Sequence, residues 1–343
     1  MQYLPLGNTG LYVSRICLGT MTFAEPDNPM AQMIGGTGQD VADRMVAAAL
    51  EAGVNFFDTA NMYGFGESET ILGRALQGRR QDSIIATKVY FPEGTGINDM
   101  GTSRLAIMRE VERSLTRLGT DWIDLYQVHS FDDTTPLEET LRALDDCVRQ
   151  GKVRYIGLSN FAAWQIAKAD GLARNLGTER FCSVQAYYSL AGRELEREIL
   201  PAVRDLGLGV MVWSPLAGGY LSGKFTGGEG GEGRRLNFDF PPLDRARGDA
   251  IVGVLREVGG AHDASPARVA LAWLLHREGV TSVIVGARKQ EQLVDNLAAA
   301  DLQLSPDELQ ALDDVSRLAP EYPGWFAPAQ RGQDMFARWS DLS

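Results

Sequence analysis

Cysteine is scarce: Cys17, Cys147 and Cys182 are the only three in 343 residues, and they lie far apart. No disulfide framework or zinc spacing can be built from them, so a reducing compartment fits best, with all three as small buried residues. Histidine is equally scarce. His129, His262 and His276 lack ligand-like spacing, so no metal is expected and a metal-dependent barrel hydrolase is disfavoured. Positive charge is in deficit. A formal net charge of -12 sets up a field that repels nucleic acid and anionic membrane surfaces, while leaving room for a local basic pocket around a small phosphate. Long apolar runs are missing too, as is a basic N-terminal segment leading into one, so a soluble, cytoplasmic protein is expected.

What is present suits an enzyme. The hydrophobic content of 44% is ample for a core, and 343 residues allow either two domains or one large α/β barrel. Apolar runs ending near Leu18, Phe57, Thr87, Val128, Leu158, Val184, Val212 and Val285 read as eight strands. Segments of helical periodicity separate them. Leu137, Leu141, Leu144 and Val148 form one stripe over residues 136–150, which Pro136 opens and Gly151 follows. Ile107, Val111, Leu115 and Leu118 form another ahead of Gly119. Alternating strands and helices imply a parallel sheet, and eight units predict a single (β/α)₈ TIM barrel domain spanning residues 1–343. A short β-hairpin turning at residues 7–10 precedes it. The competing open, doubly wound sheet would want G-x-G-x-x-G after its first strand, and residues 19–23 do not supply it. Three segments fall outside the units: residues 25–40, residues 226–242 with a glycine-rich run, and an aromatic tail over residues 321–343. In a barrel the first two are extended βα loops on the C-terminal face, where active sites are built.

Three titratable residues close successive strands. Asp58 ends the second, Lys88 the third and His129 the fourth, and Tyr63 follows Asp58 by five residues. Reducing a carbonyl by hydride produces an alkoxide that needs a proton. A tyrosine supplies it reluctantly, because its ordinary pKa is about 10. A neighbouring ammonium stabilises the phenolate, a carboxylate holds that ammonium in place, and a histidine can polarise the carbonyl. Singly, each residue has a blander reading: a capping aspartate, a packing tyrosine, a solvated lysine, a hydrogen-bonded core histidine. Their joint placement at strand ends is what points to a site.

The stretch 55–76, with Asp58, Tyr63, Gly64, Glu67, Leu72 and Gly73, resembles the signature of the aldo-keto reductases. So do residues 151–161 and 213–224, and the similarity runs in order from about Tyr3 to Leu318. It is nearer to the broad bacterial and potassium-channel-β-subunit-like branch than to the vertebrate aldose reductases. The resemblance implies a (β/α)₈ barrel that binds a nicotinamide dinucleotide without a Rossmann domain. It implies Tyr63 as the acid, supported by Lys88, Asp58 and His129.

The resemblance also implies a cofactor site. Ser159, Asn160 and Gln185 end strands five and six and carry groups that suit a nicotinamide carboxamide, with helix capping as the alternative for the first two. Trp213 is the stacking aromatic. Ser214, Pro215, Leu216, Gly218 and Lys224 follow it, and one or both of Arg234 and Arg235 join Lys224 as pyrophosphate-binding cations. Gly19, Thr20 and Met21 border the nicotinamide ribose. Arg288 and Gln292 face the adenosine phosphate, Gly286 precedes them, and Asp295 and Asn296 approach the adenine. The best-known NADPH reductases carry lysine at Gly286 and arginine at Gln292. Arg288, with Lys289, remains suited to a 2′-phosphate, so NADPH is the first choice and NADH the alternative.

Phe23, Met62, Tyr90, Phe91 and Ser130 are expected to wall the substrate pocket, with the tail aromatics Tyr322, Trp325, Phe326, Phe336 and Trp339 either adding to it or packing elsewhere. The expected partner is a small, neutral or aromatic carbonyl compound, and no oligomeric state follows from the sequence. The expected activity is NADPH-dependent reduction of an aldehyde or ketone. Two other readings are a redox-sensing regulatory subunit that holds the cofactor tightly and an NAD-linked sugar or polyol dehydrogenase.

Overall fold

The computed structural model describes residues 1–92, 94–226, 235 and 237–326. The chain opens with an antiparallel hairpin of β1 (Tyr3–Pro5) and β2 (Tyr12–Ser14). Eight strands then close into a parallel barrel: β3 (Ile16–Gly19), β4 (Phe56–Asp58), β5 (Ile84–Val89), β6 (Ile123–Val128), β7 (Val153–Ser159), β8 (Ser183–Tyr187), β9 (Gly209–Trp213) and β10 (Val280–Val285). Each pairs with its sequence neighbours, and β10 closes the ring on β3. This is the (β/α)₈ barrel with an N-terminal hairpin. The predicted strand ends fall within three residues of those observed.

Helices form the outer ring: α1 (Pro29–Ile34), α2 (Gln39–Glu51), α3 (Glu67–Ala75), α4 (Arg104–Leu118), α5 (Leu137–Arg149), α6 (Ala163–Leu176), α7 (Ile199–Leu206), α8 (Arg245–His262), α9 (Pro266–Leu275), α10 (Gln290–Leu297) and α11 (Pro306–Val315). Helix α4 shows why they form. Ser103 caps it by accepting from Ala106 N, its apolar stripe is buried, and Gly119 ends it in the left-handed region. Pro136 departs slightly from expectation. Its ψ of 127° is extended, so it sits just before α5 rather than inside it. Helix α1 lies in the 25–40 segment, where Asn28 caps it and Pro29 starts it.

The barrel interior has two layers, set by the period-two alternation of its strands. Cys17, Phe56, Ala86, Leu125, Met211 and Ile284 form an apolar cluster with Leu6 and Val13 of the hairpin. Gly7 permits this closure. Its φ is +60°, and a Cβ there would meet the Cys182 carbonyl at 2.3 Å, so the hairpin abuts the starts of β8 and β9. Two residues further along the strands, the same inward parity presents Gly19, Asp58, Lys88, Gln127, Trp213 and Gly286. The apolar layer is a floor, and the polar layer stands on it at the C-terminal mouth. All three cysteines are buried and free. No helix among the described residues is long and apolar enough to cross a membrane.

Candidate active site

The polar layer contains a closed hydrogen-bond network. Lys88 Nζ lies 2.5 Å from Asp58 Oδ1 and donates to the Thr59 carbonyl at 2.8 Å. Both partners of this ion pair are buried. The other carboxylate oxygen, Oδ2, accepts from Gln185 Nε2 at 2.8 Å and from Gln127 Nε2 at 3.1 Å. A buried ion pair survives only when its remaining polar valences are met, and here both carboxylate oxygens are engaged. Strand register produces the arrangement: Lys88 is paired with Gln127, and Ser159 with Gln185.

Tyr63 enters from the loop after β4. Its ring centroid lies 5.0 Å from Lys88 Nζ and 5.8 Å from the His129 ring, which meets it edge-on. Asn61 pins the loop by donating to the Phe91 carbonyl and to buried Glu110. The four catalytic candidates from three strands thus share one end of the barrel. Burial alone would lower the Lys88 ammonium, but Asp58 and then Tyr63 more than offset it, and the net shift is upward from the ordinary lysine value. A raised lysine contributes stability that is complete below its unfolded value near 10.5 and is lost only as pH rises through the folded value. The Lys88 ammonium is therefore charged at neutral pH.

His129 behaves oppositely. Burial first, and the Lys88 charge second, hold it well below the ordinary imidazole value, so it is neutral. Its Nδ1 is buried without a hydrogen-bond partner among the described residues. We expect the rate of carbonyl reduction to show no inflection near pH 6.5 from this residue. A kcat profile between about pH 6 and 8 checks it, and an inflection that His129→Gln removes contradicts it.

The remaining mouth residues divide into those gathered here and those used elsewhere. Ser159 Oγ is buried and has no hydrogen-bond partner among the described residues. Asn160 donates to the His129 carbonyl at 2.9 Å and accepts from Trp213 Nε1 at 3.1 Å. Asn160 (φ 59°), Ser214 (φ 50°) and Ala217 (φ 48°) all hold left-handed backbone, a strain that concentrates at functional sites. Ser214 Oγ accepts from Gly218 N, and Thr20 donates to the Asp58 carbonyl. Gly19 ends β3, Met21 follows half-buried, and Gly286 faces them at the end of β10, 3.8 Å from the Gly19 carbonyl as measured from an added Cβ. Pro215 and Leu216 continue the β9 loop, and Lys224 lies 5.3 Å from the Phe225 ring.

Arg235 is buried and committed. Its guanidinium donates to the carbonyls of Ala217 and Pro241 and pairs with Asp239 at 2.9 Å. Arg234 lies outside the described residues. Arg288 extends along Gly35, where an added Cβ would come 2.6 Å from its Cδ, and its backbone N donates to Gln292 Oε1. Asp295 binds Ser265 Oγ and pairs with Arg268 at 2.6 Å, and Asn296 is buried beside it. His262 pairs with Glu308 and His276 bonds the Ala272 carbonyl, both away from this cluster.

Around His129 the walls are aromatic. Phe91 meets its ring at 4.9 Å and Tyr90 meets Phe91 at 5.0 Å, with Met62 and Ser130 half-buried nearby in sequence. Phe23 instead packs wholly within the hydrophobic core. Sequence reasoning missed three contributors. Gln127 joins the Asp58 network, Tyr187 lies 5.1 Å from Trp213, and Phe240 stacks on Trp213 at 5.7 Å. Tyr322, Trp325 and Phe326 are exposed and pack on one another, while Phe336 and Trp339 lie outside the described residues.

A family model described as "Aldo/keto reductase family" matches residues 15–317. The chain belongs to the aldo/keto reductase family. It is 42% identical over 326 residues to an uncharacterized oxidoreductase, YrpG, of Bacillus subtilis, covering 92% of this chain and 96% of that one. It is 34% identical to the versiconal hemiacetal acetate reductase of Aspergillus parasiticus, covering 96% and 100%. A probable voltage-gated potassium channel subunit beta of Oryza sativa is 35% identical, covering 94% and 98%. The chain is accordingly an NAD(P)-dependent oxidoreductase, of a family that acts on small carbonyl compounds.

Proposed function

We propose that the whole chain, acting as one barrel domain, reduces an aldehyde or ketone with NADPH and that Tyr63 delivers the proton. The observation that carries this reading is the buried Lys88–Asp58 pair set against the Tyr63 ring at the barrel mouth. An ammonium there stabilises the phenolate left after proton donation, and Asp58 keeps that ammonium fixed and charged. Neutral His129 orients the carbonyl oxygen as a hydrogen-bond partner and does not compete as an acid.

The residues present fit a nicotinamide. The buried Ser159 Oγ, without a partner among the described residues, is an orphan that a carboxamide would satisfy, and the part-exposed Trp213 stands at the same mouth. Ser159, Asn160, Gln185 and Trp213 would hold the nicotinamide end. The Ser214–Gly218 turn and Lys224 would hold the pyrophosphate, with Arg288 and Gln292 toward the adenosine. A reduced nicotinamide bound there supplies hydride. Arg235 then acts through the loop it anchors, and Asp295 through its pairing with Arg268.

Arg288 is the group assigned to the 2′-phosphate that distinguishes NADPH. We expect Arg288→Ala to weaken NADPH binding by about tenfold or more while changing NADH binding less than threefold, since a charge-assisted guanidinium–phosphate contact is lost only for NADPH. Titration of both cofactors by quenching of protein fluorescence checks this. Equal weakening of both would remove Arg288 from that role. Aromatic walls from Tyr90 and Phe91 favour an apolar or aromatic carbonyl compound over a charged one. The kinship with a channel β subunit gives a regulatory reading its standing, and fast exchange of bound cofactor with multiple turnovers per enzyme distinguishes the enzyme from a slow sensor.

A further inference from the structure

Gln127 is an amide wholly buried in the barrel, next to the ion pair and engaged by two other polar side chains. Burying an amide in the barrel interior is unfavourable unless its groups are bonded, and an aliphatic residue would fill the same volume. The fold makes room for it. Gly157 is its register partner on β7, and a Cβ at Gly157 would stand 3.1 Å from Gln127 Cγ and 2.6 Å from Ser183 Oγ.

We propose that Gln127 is a positioning residue for cofactor binding. It fixes the Gln185 amide so that only its carbonyl oxygen is offered at the barrel mouth, toward an N–H of the nicotinamide carboxamide. This rests on the reading of the mouth as a nicotinamide site. The hydrogen-bond polarity follows from Asp58. Paired with the Lys88 ammonium, its carboxylate can only accept, so both glutamines must turn their nitrogens toward Oδ2, at 2.8 Å for Gln185 and 3.1 Å for Gln127. With its nitrogen placed there, Gln127 Oε1 accepts from Gln185 Nε2 at 3.2 Å.

Both Gln185 N–H groups are then committed, one to Asp58 and one to Gln127. Turning that amide over would set its oxygen against a carboxylate and a second carbonyl. Without Gln127 the amide is held at one point instead of two, and Oε1 loses its fixed direction. Ser159 completes the pattern from the neighbouring strand, where it is the register partner of Gln185 and its hydroxyl is unpartnered. A hydroxyl that donates beside a carbonyl that accepts reads a carboxamide in one orientation. A group with no N–H gains nothing from the Gln185 side.

The test compares calorimetric dissociation constants of NADP⁺ and its 3-acetylpyridine analogue, in which a methyl replaces the carboxamide NH₂. The proteins are wild type, Gln127→Met, Gln185→Met and the double variant. Gln127→Met should weaken NADP⁺ about tenfold and the analogue less than twofold, and the double variant should bind NADP⁺ no more weakly than Gln185→Met alone. Gly157→Ala, which crowds Gln127 without changing it, should show the same selective loss and keeps the question answerable if Gln127→Met does not fold. Unchanged NADP⁺ binding, equal weakening of both dinucleotides, or additive losses in the double variant would each overturn the proposal. If wild type binds no nicotinamide dinucleotide, the proposed function falls and this inference with it. If wild type binds and the variants do not discriminate, only the inference falls.

Discussion

Lys88→Met is expected to lower folding stability by about 3–5 kcal/mol at neutral pH, the cost of leaving a buried charge without its partner. Gln127 and Gln185 satisfy only one oxygen of Asp58, so the oxygen now facing Lys88 at 2.5 Å would be stranded in the barrel interior. Methionine fills much of the lysine's volume, which limits any cavity contribution. Chemical denaturation at neutral pH measures the loss. Adding Asp58→Asn removes the stranded charge and should restore most of the stability, while activity stays low because no ammonium faces Tyr63. A Lys88→Met protein that unfolds at the wild-type denaturant midpoint would contradict the energetic account of the pair.

Tyr63→Phe is expected to act on chemistry and leave the fold nearly untouched. The substitution deletes one hydroxyl and keeps the ring that packs edge-on against His129 and lies beside Lys88. Loss of a positioned general acid costs about two to four orders of magnitude in kcat. Affinity for NADPH should change less than threefold, because the phenol is assigned to the carbonyl oxygen and not to the dinucleotide. A parallel loss of cofactor binding would move Tyr63 from the acid role to a structural one.

The barrel and the polar cluster at its mouth were largely legible in the sequence, for a physical reason. Parallel barrel strands are buried on both faces, so they appear as short apolar runs, and a polar residue at the end of such a run marks the C-terminal mouth. Asp58, Lys88 and His129 were found this way. Strand β8 shows the same effect from the other side. Its run is broken by Gln185, which suggests an end at Val184, yet the strand continues to Tyr187 because the amide points inward into the network.

Gln127 escaped because it lies inside an apolar run and does not terminate it. Counting parity from Leu125, part of the apolar floor, would have turned it inward beside Lys88. Other features had no local signal at all. Arg235 looks like a loop cation in sequence, but the structure turns it in to hold the carbonyls of Ala217 and Pro241. Asp295 meets Arg268 and Ser265, residues of the preceding helix and its cap, and Phe240 reaches Trp213 from the far end of a long loop. These contacts are set by tertiary packing, which periodicity does not encode.

Tyr63 is proposed as the proton donor in carbonyl reduction. Its most direct test is steady-state oxidation of NADPH by wild type and Tyr63→Phe across a panel of aromatic and aliphatic aldehydes, with cofactor affinity measured on the same preparations. With Tyr63 as the donor, kcat falls by at least about a hundredfold on every aldehyde that wild type reduces, with NADPH bound normally. Turnover by Tyr63→Phe at the wild-type rate would contradict it.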